Sequence, residues 1–177
     1  MVSNLLVIMT EQEFDEKLQK AKVLFDEKIN TSAEKSIPFA NYVASKINGN
    51  TIYISGQLPR DLLDDNKVIT GKASDNNNIF DEKYASAMCA MQVLLVLKNE
   101  IGDLKKVKSC VQLQVFVNSS PDFTNQHLVA NGASDLICEY LDKITGNKSI
   151  AQHTRCAVGV ATLPLGALVE VGAVFEI

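Results

Sequence analysis

The sequence predicts an α+β fold: a single mixed sheet with two helices packed on one of its faces, preceded by an extra helix at the N-terminus. Three observations predict it. Alternating β-branched runs lie near both ends of the second part of the chain, two stretches of helical apolar spacing stand between them, and one long strand separates those helices. The 177 residues, 46% hydrophobic and 21% charged, suit one domain with an appendage. A change of texture near Phe39 divides them into an N-terminal helical extension over 1–37 and a domain over 38–177.

Val2–Met9 is apolar but too short for a membrane span, or for a signal segment with its basic flank. The expectation is a cytoplasmic protein with no membrane partner. Thr10-Glu11-Gln12-Glu13 has the form of a capping box. Phe14, Leu18, Ala21, Phe25 and Ile29 then recur at spacings of four and three, the stripe of a helix that ends near Asn30 and lies against the domain. Residues 41–47 and 51–55 flank Asn48-Gly49-Asn50 and predict a hairpin, since Asn-Gly is the strongest short-range turn signal. The second strand runs into Ser55-Gly56-Gln57, where a glycine lets a ligand or another backbone come close. Residues 61–78 are polar and read as a long, mobile surface loop.

The helix over 80–101 carries Tyr84, Met88, Met91 and Leu95 on a broad apolar face and stops at Gly102. In the strand over 107–117, Val107, Val111, Leu113, Val115 and Val117 face one side, with Lys108, Cys110, Gln112, Gln114 and Phe116 on the other. A neutral polar face of that kind suits an inter-subunit seam or a pocket wall. Ser120-Pro121 can open the next helix, which closes at Gly146.

Arg155–Thr162 and Leu168–Ile177 are joined through Leu163-Pro164-Leu165-Gly166, which reads as a tight antiparallel connection. One face of this hairpin is apolar. The other carries Arg155, Glu170 and small residues, and a strand face that bare predicts a pocket. With both helices on one side of the sheet, burial of the other side calls for further copies of the chain.

Net charge is −4 and the isoelectric point about 5.2, which argues against a nucleic-acid partner. Cys89, Cys110, Cys138 and Cys156 lack metal-like spacing, and two histidines give a zinc site little to draw on. The cysteines read as reduced thiols, Cys156 as a core thiol, and His127 and His153 as surface or capping residues.

Ser55–Pro59 (SGQLP), Ile101–Val107 (IGDLKKV), Phe116–Gln126 (FVNSSPDFTNQ), Asn131–Leu136 (NGASDL) and Thr154–Glu176 together resemble the YjgF/RidA family, often labelled L-PSP endoribonucleases. The likeness is to its longer, chorismate-mutase-like subgroup and covers roughly Phe39 to Ile177. The resemblance implies a homotrimer with a central barrel and clefts at subunit boundaries. It also implies hydrolysis of reactive enamines and imines, such as 2-aminoacrylate, to 2-keto acids and ammonia, with no metal or organic cofactor. By the same resemblance, Arg155 binds the substrate carboxylate and Glu170 orients or activates water, while Tyr42, Gly56 and Asn131 contact substrate. Three departures stand out, one of them a longer loop after Pro59. Ala157 occupies the place where many active members have Cys, and the Phe123–Asn131 connection is longer than in compact members. A non-catalytic module that senses small carboxylates is the alternative. A ribonuclease, as the older label says, is a third reading.

Overall fold

The computed structural model describes residues 9–31, 40–75 and 78–177. The apolar run at 2–8, the boundary near residue 38 and Asn76-Asn77 lie outside the described residues. Helix α1 (Glu11–Thr31) opens on the capping box, with Thr10 N–H donating to Glu13 Oε2 at 2.7 Å and Glu13 N–H donating back to Thr10 Oγ1 at 3.2 Å. Its buried stripe of Phe14, Ala21, Phe25 and Ile29 lies against the two helices of the domain. Phe25 meets Tyr140 edge-on at 5.0 Å between ring centroids, and Lys22 pairs with Glu139.

Strands β1 (Ser45–Asn48) and β2 (Thr51–Gln57) form the expected hairpin, with Asn48 paired to Thr51 and Gly49 at φ +62° in the turn. The loop that follows is more ordered than its polarity suggests. Arg60–Asp61 (β3) pairs with Lys67–Val68 (β4), and Asp61 is buried, accepting from the Tyr84 hydroxyl at 2.7 Å and meeting Lys17 at 3.5 Å. Backbone bridges at Thr70–Ala167 and Ala73–Ser119 tie down its far end.

Helix α2 (Ile79–Ile101) is capped by Asn78 and buries Met88 and Met91 in the core. Strand β5 (Ser109–Asn118) carries a bulge: Cys110 pairs with Phe175 and Gln112 with Val174, so Val111 is the extra residue. The bulge turns Cys110 into the core and Val111 out, reversing the side expected for each. Helix α3 (Gln126–Thr145) starts five residues after Pro121, which sits in a turn, and ends at Gly146 in the left-handed conformation.

The largest departure is at the C-terminus. Strand β6 (Thr154–Val160) does not pair with β7 (Val169–Glu176). The sheet order is β1-β2-β7-β5-β6, with β7 in the middle, antiparallel to both β2 and β5, and β6 on the edge, parallel to β5. The parallel β5–α3–β6 unit uses α3 as its crossover. Pro164–Gly166 is one 3-10 turn of a longer connection that bypasses β5 to reach the centre of the sheet.

Both α2 and α3 cover the same sheet face, where Ile52, Leu113, Val115, Val117, Val171 and Phe175 are buried. Among the described residues, no helix is long and apolar enough to cross a membrane.

Candidate active site

Register assigns each candidate residue to a face. Arg155 pairs with Leu113 and therefore points to the helix side, whereas Glu170 pairs with Phe116 on the uncovered side. The common face expected for Arg155 and Glu170 does not exist within one chain. Alternation within each strand was read correctly, but matching the faces of two strands requires knowing that they are not neighbours. The small residues of β6 have a different cause from the one expected. A methyl on Gly159 would come 2.7 Å from Gln126 Nε2, so this strand is bare because the start of α3 lies over it.

Two clusters result. The first surrounds Arg155. Its Nη1 donates to Asn131 Oδ1 and to Ser134 Oγ, both at 2.9 Å, and Nη2 donates to the His127 carbonyl at 3.1 Å. His127, Asn131 and Ser134 are spaced four and three apart, so one helix face holds the guanidinium. These bonds engage at most three of its five N–H donors and leave at least two, the number a carboxylate fork needs. Arg155 stays exposed at the sheet edge.

The second cluster lies on the uncovered face. A methyl on Gly56 would sit 1.8 Å from Glu170 Oε1, so glycine at 56 makes the space that the carboxylate occupies. Burial pushes the Glu170 carboxyl up from its ordinary value. Tyr42, 51% exposed, precedes β1 close by: Ser55 Oγ donates to the Val43 carbonyl at 2.7 Å, tying that segment to the residue before Gly56. Gln114 and Gly172 continue this face toward the sheet centre.

Arg155 thus meets Asn131, and Glu170 meets Gly56, while Tyr42 lies on the segment tied to Ser55 through the Val43 carbonyl. Sequence reasoning missed Ser134 and His153, whose ring Nε2 is 3.0 Å from Ser134 Oγ. The available signal was His-x-Arg at 153–155, which puts both side chains on one strand face, together with Asn-x-x-Ser at 131–134. Cys156 is exposed on the uncovered side, not a core thiol; Cys89 and Cys110 are buried, and burial pushes Cys110 up to about 12.

A mixed sheet covered on one side, with a helix-held guanidinium at its edge and a half-buried carboxylate on its bare face, defines an α+β protein with one cation and one carboxylate set on opposite sides of its sheet. Residues 33–177 match the family described as Endoribonuclease L-PSP, and the chain belongs to that family, the YjgF/RidA family. It is 44% identical over 140 residues to protein TCP17 of Trypanosoma cruzi, covering 79% of this chain and 83% of that one. The crystal structure of Atu1372 from Agrobacterium tumefaciens, of unknown function, shares 36% identity with a TM-score of 0.71 over 90% of this chain and 96% of that one. TdcF of E. coli, solved with bound serine, has the same fold: TM-score 0.53, 17% identity, 82% and 95% of the two chains.

Proposed function

We propose that the protein hydrolyses 2-imino acids, with their enamine tautomers such as 2-aminoacrylate, to 2-keto acids and ammonia, in clefts between the subunits of a homotrimer. The observation that carries this reading is the Arg155 guanidinium, oriented by Asn131, Ser134 and the His127 carbonyl yet with donors left for a carboxylate. The two clusters lie on opposite sheet faces, so Glu170, Gly56 and Tyr42 of a neighbouring copy complete the cleft around Arg155. The uncovered face, with Tyr53 47% and Val158 39% exposed, offers apolar surface for that neighbour.

In this cleft the carboxylate of the substrate lies on Arg155, and the enamine tautomerises to the imine. Glu170 takes a proton from water as the oxygen adds to C2, and its raised proton affinity suits that role. That proton passes to the imine nitrogen to give the carbinolamine; Glu170 then moves the C2 hydroxyl proton to the same nitrogen, the C2–N bond breaks, and ammonia leaves as the carbonyl forms. Positioning carries much of the rate because the imine is already electrophilic. No step calls for a metal or an organic cofactor.

Ammonia release from a 2-imino acid generated enzymatically in the assay tests the reading. The wild type accelerates release and Arg155→Ala loses about a thousandfold or more of that acceleration with the assembly intact. A wild type no faster than the spontaneous reaction refutes it.

A second reading, a carboxylate-sensing module without turnover, draws support from Ala157, which gives the site no thiol, and from the serine held by TdcF. It predicts binding of small amino or keto acids through Arg155 with no ammonia release. The ribonuclease reading would return if RNA cleavage survived Arg155→Ala.

A further inference from the structure

We propose that Ser134 and His153 are positioning residues that lock the Arg155 guanidinium for carboxylate binding; this rests on the reading of Arg155 as the substrate clamp. For the neutral His153 ring, chemistry fixes the direction of every bond in the chain that links them. His153 Nδ1 lies 2.8 Å from the Ala151 carbonyl, which can only accept, so Nδ1 carries the ring proton. Nε2 of the neutral ring is then an acceptor, 3.0 Å from Ser134 Oγ. A guanidinium can only donate, so Ser134 Oγ accepts from Arg155 Nη1 at 2.9 Å and directs its own proton to His153. The order runs Arg155 to Ser134 to His153 to Ala151, with each donor meeting one acceptor.

The consequence is geometric. A serine hydroxyl is a rotor, and unanchored it samples orientations that turn its lone pairs away from the guanidinium. His153 stops that rotor. The imidazole is itself held by the last residue of the Lys148–Ala151 turn, just ahead of β6, so it moves with the strand that carries Arg155. Arg155 stands exposed on an edge strand with a long, flexible stem, and Ser134 and Asn131 are the side chains that orient it. Second-layer contacts of this kind decide whether a clamp is preorganised or merely present.

The assembled full-length protein is titrated with pyruvate, and KM and kcat are measured with an enzymatically generated 2-imino acid. His153→Ala and Ser134→Ala should each weaken pyruvate binding and raise KM by about tenfold, with kcat within about twofold, because Arg155, still held by Asn131 and the His127 carbonyl, places the substrate once it is bound. His153→Gln, whose Oε1 can accept from Ser134, should recover most of the affinity. Nitrogen-15 NMR of the neutral ring should show His153 protonated on Nδ1.

Unchanged pyruvate affinity in both alanine variants, with binding lost in Arg155→Ala, overturns the positioning role and leaves the clamp standing. Unchanged affinity in Arg155→Ala as well removes the clamp and this proposal together. A ring protonated on Nε2 also overturns it. Ser134→Ala removes a single oxygen, so it decides the matter should His153→Ala fail to fold.

Discussion

The two faces of the sheet are built to different rules. On the helix side, Ile52, Leu113, Val115, Val171 and Phe175 interlock beneath α2 and α3 and are almost wholly removed from water. On the other side, Tyr53 and Val158 stay largely open, Gln112 and Gln114 line the middle, and Glu170 is lodged against Gly56. A finished core excludes unpaired carboxylates and leaves no apolar side chain half in water. The uncovered face breaks both rules. That contrast teaches that the sheet is covered on one side only, and that charge is divided across it: the cation at the edge of the covered side, the carboxylate on the bare one.

Mutations can break or sharpen this contrast. Glu170→Gln should have the largest effect, lowering kcat by about a hundred- to a thousandfold through loss of the base. The same change should stabilise the chain near neutral pH. Burial raises the Glu170 pKa above its unfolded value, so the native state resists ionisation. Stability is full below the ordinary carboxylate range and is lost as pH rises through the raised value. Glutamine cannot ionise, so the variant's advantage in thermal melts should grow from acid to neutral pH; an advantage that shrinks would contradict the burial argument.

Leu113→Ala, on the covered face beside Arg155 in register, should cost about 3 kcal/mol in denaturant unfolding by opening a cavity under the helices. A loss below about 1 kcal/mol would mean that this side is less tightly packed than its burial indicates. Gly56→Ala should have the smallest effect. The new methyl meets the mobile end of Glu170, which can swing away, so the protein folds normally. Turnover should fall by about tenfold because the displaced carboxylate no longer places its water. Full activity would show that Glu170 has no fixed position in the reaction.

Much of the architecture was legible in the sequence, because amphipathic spacing, the Asn48-Gly49 turn and the caps at Thr10, Gly102 and Gly146 are local signals. What was not legible is non-local. Nothing near Pro164-Leu165-Gly166 says that β7 enters the sheet between β2 and β5, and a connection containing Pro and Gly looks the same whether it joins neighbours or crosses over. The Val111 bulge likewise depends on the partner strand, since only pairing with Phe175 and Val174 reveals the extra residue. Arg155, Glu170 and Gly56 stood out from strand alternation and from a glycine after a strand, whereas Tyr42, Asn131 and the role of each residue came from likeness to a family. Their separation into two clusters is set by register, and the spacings His-x-Arg and Asn-x-x-Ser gain meaning only because α3 lies against β6 and brings Ser134 to Arg155 and His153.

A subunit-mixing experiment tests the central claim directly, that one copy supplies Arg155 and its neighbour supplies Glu170. Arg155→Ala and Glu170→Gln chains, each inactive alone, are unfolded together in equal amounts, refolded and assayed for imine hydrolysis. In a closed ring of copies, a copy retaining Arg155 meets a neighbour retaining Glu170 with a probability of one half times one half. The account therefore predicts recovery to about a quarter of wild-type activity. A mixture that co-assembles, as shown by affinity tags on the two chains, and yet stays as inactive as its components would contradict it.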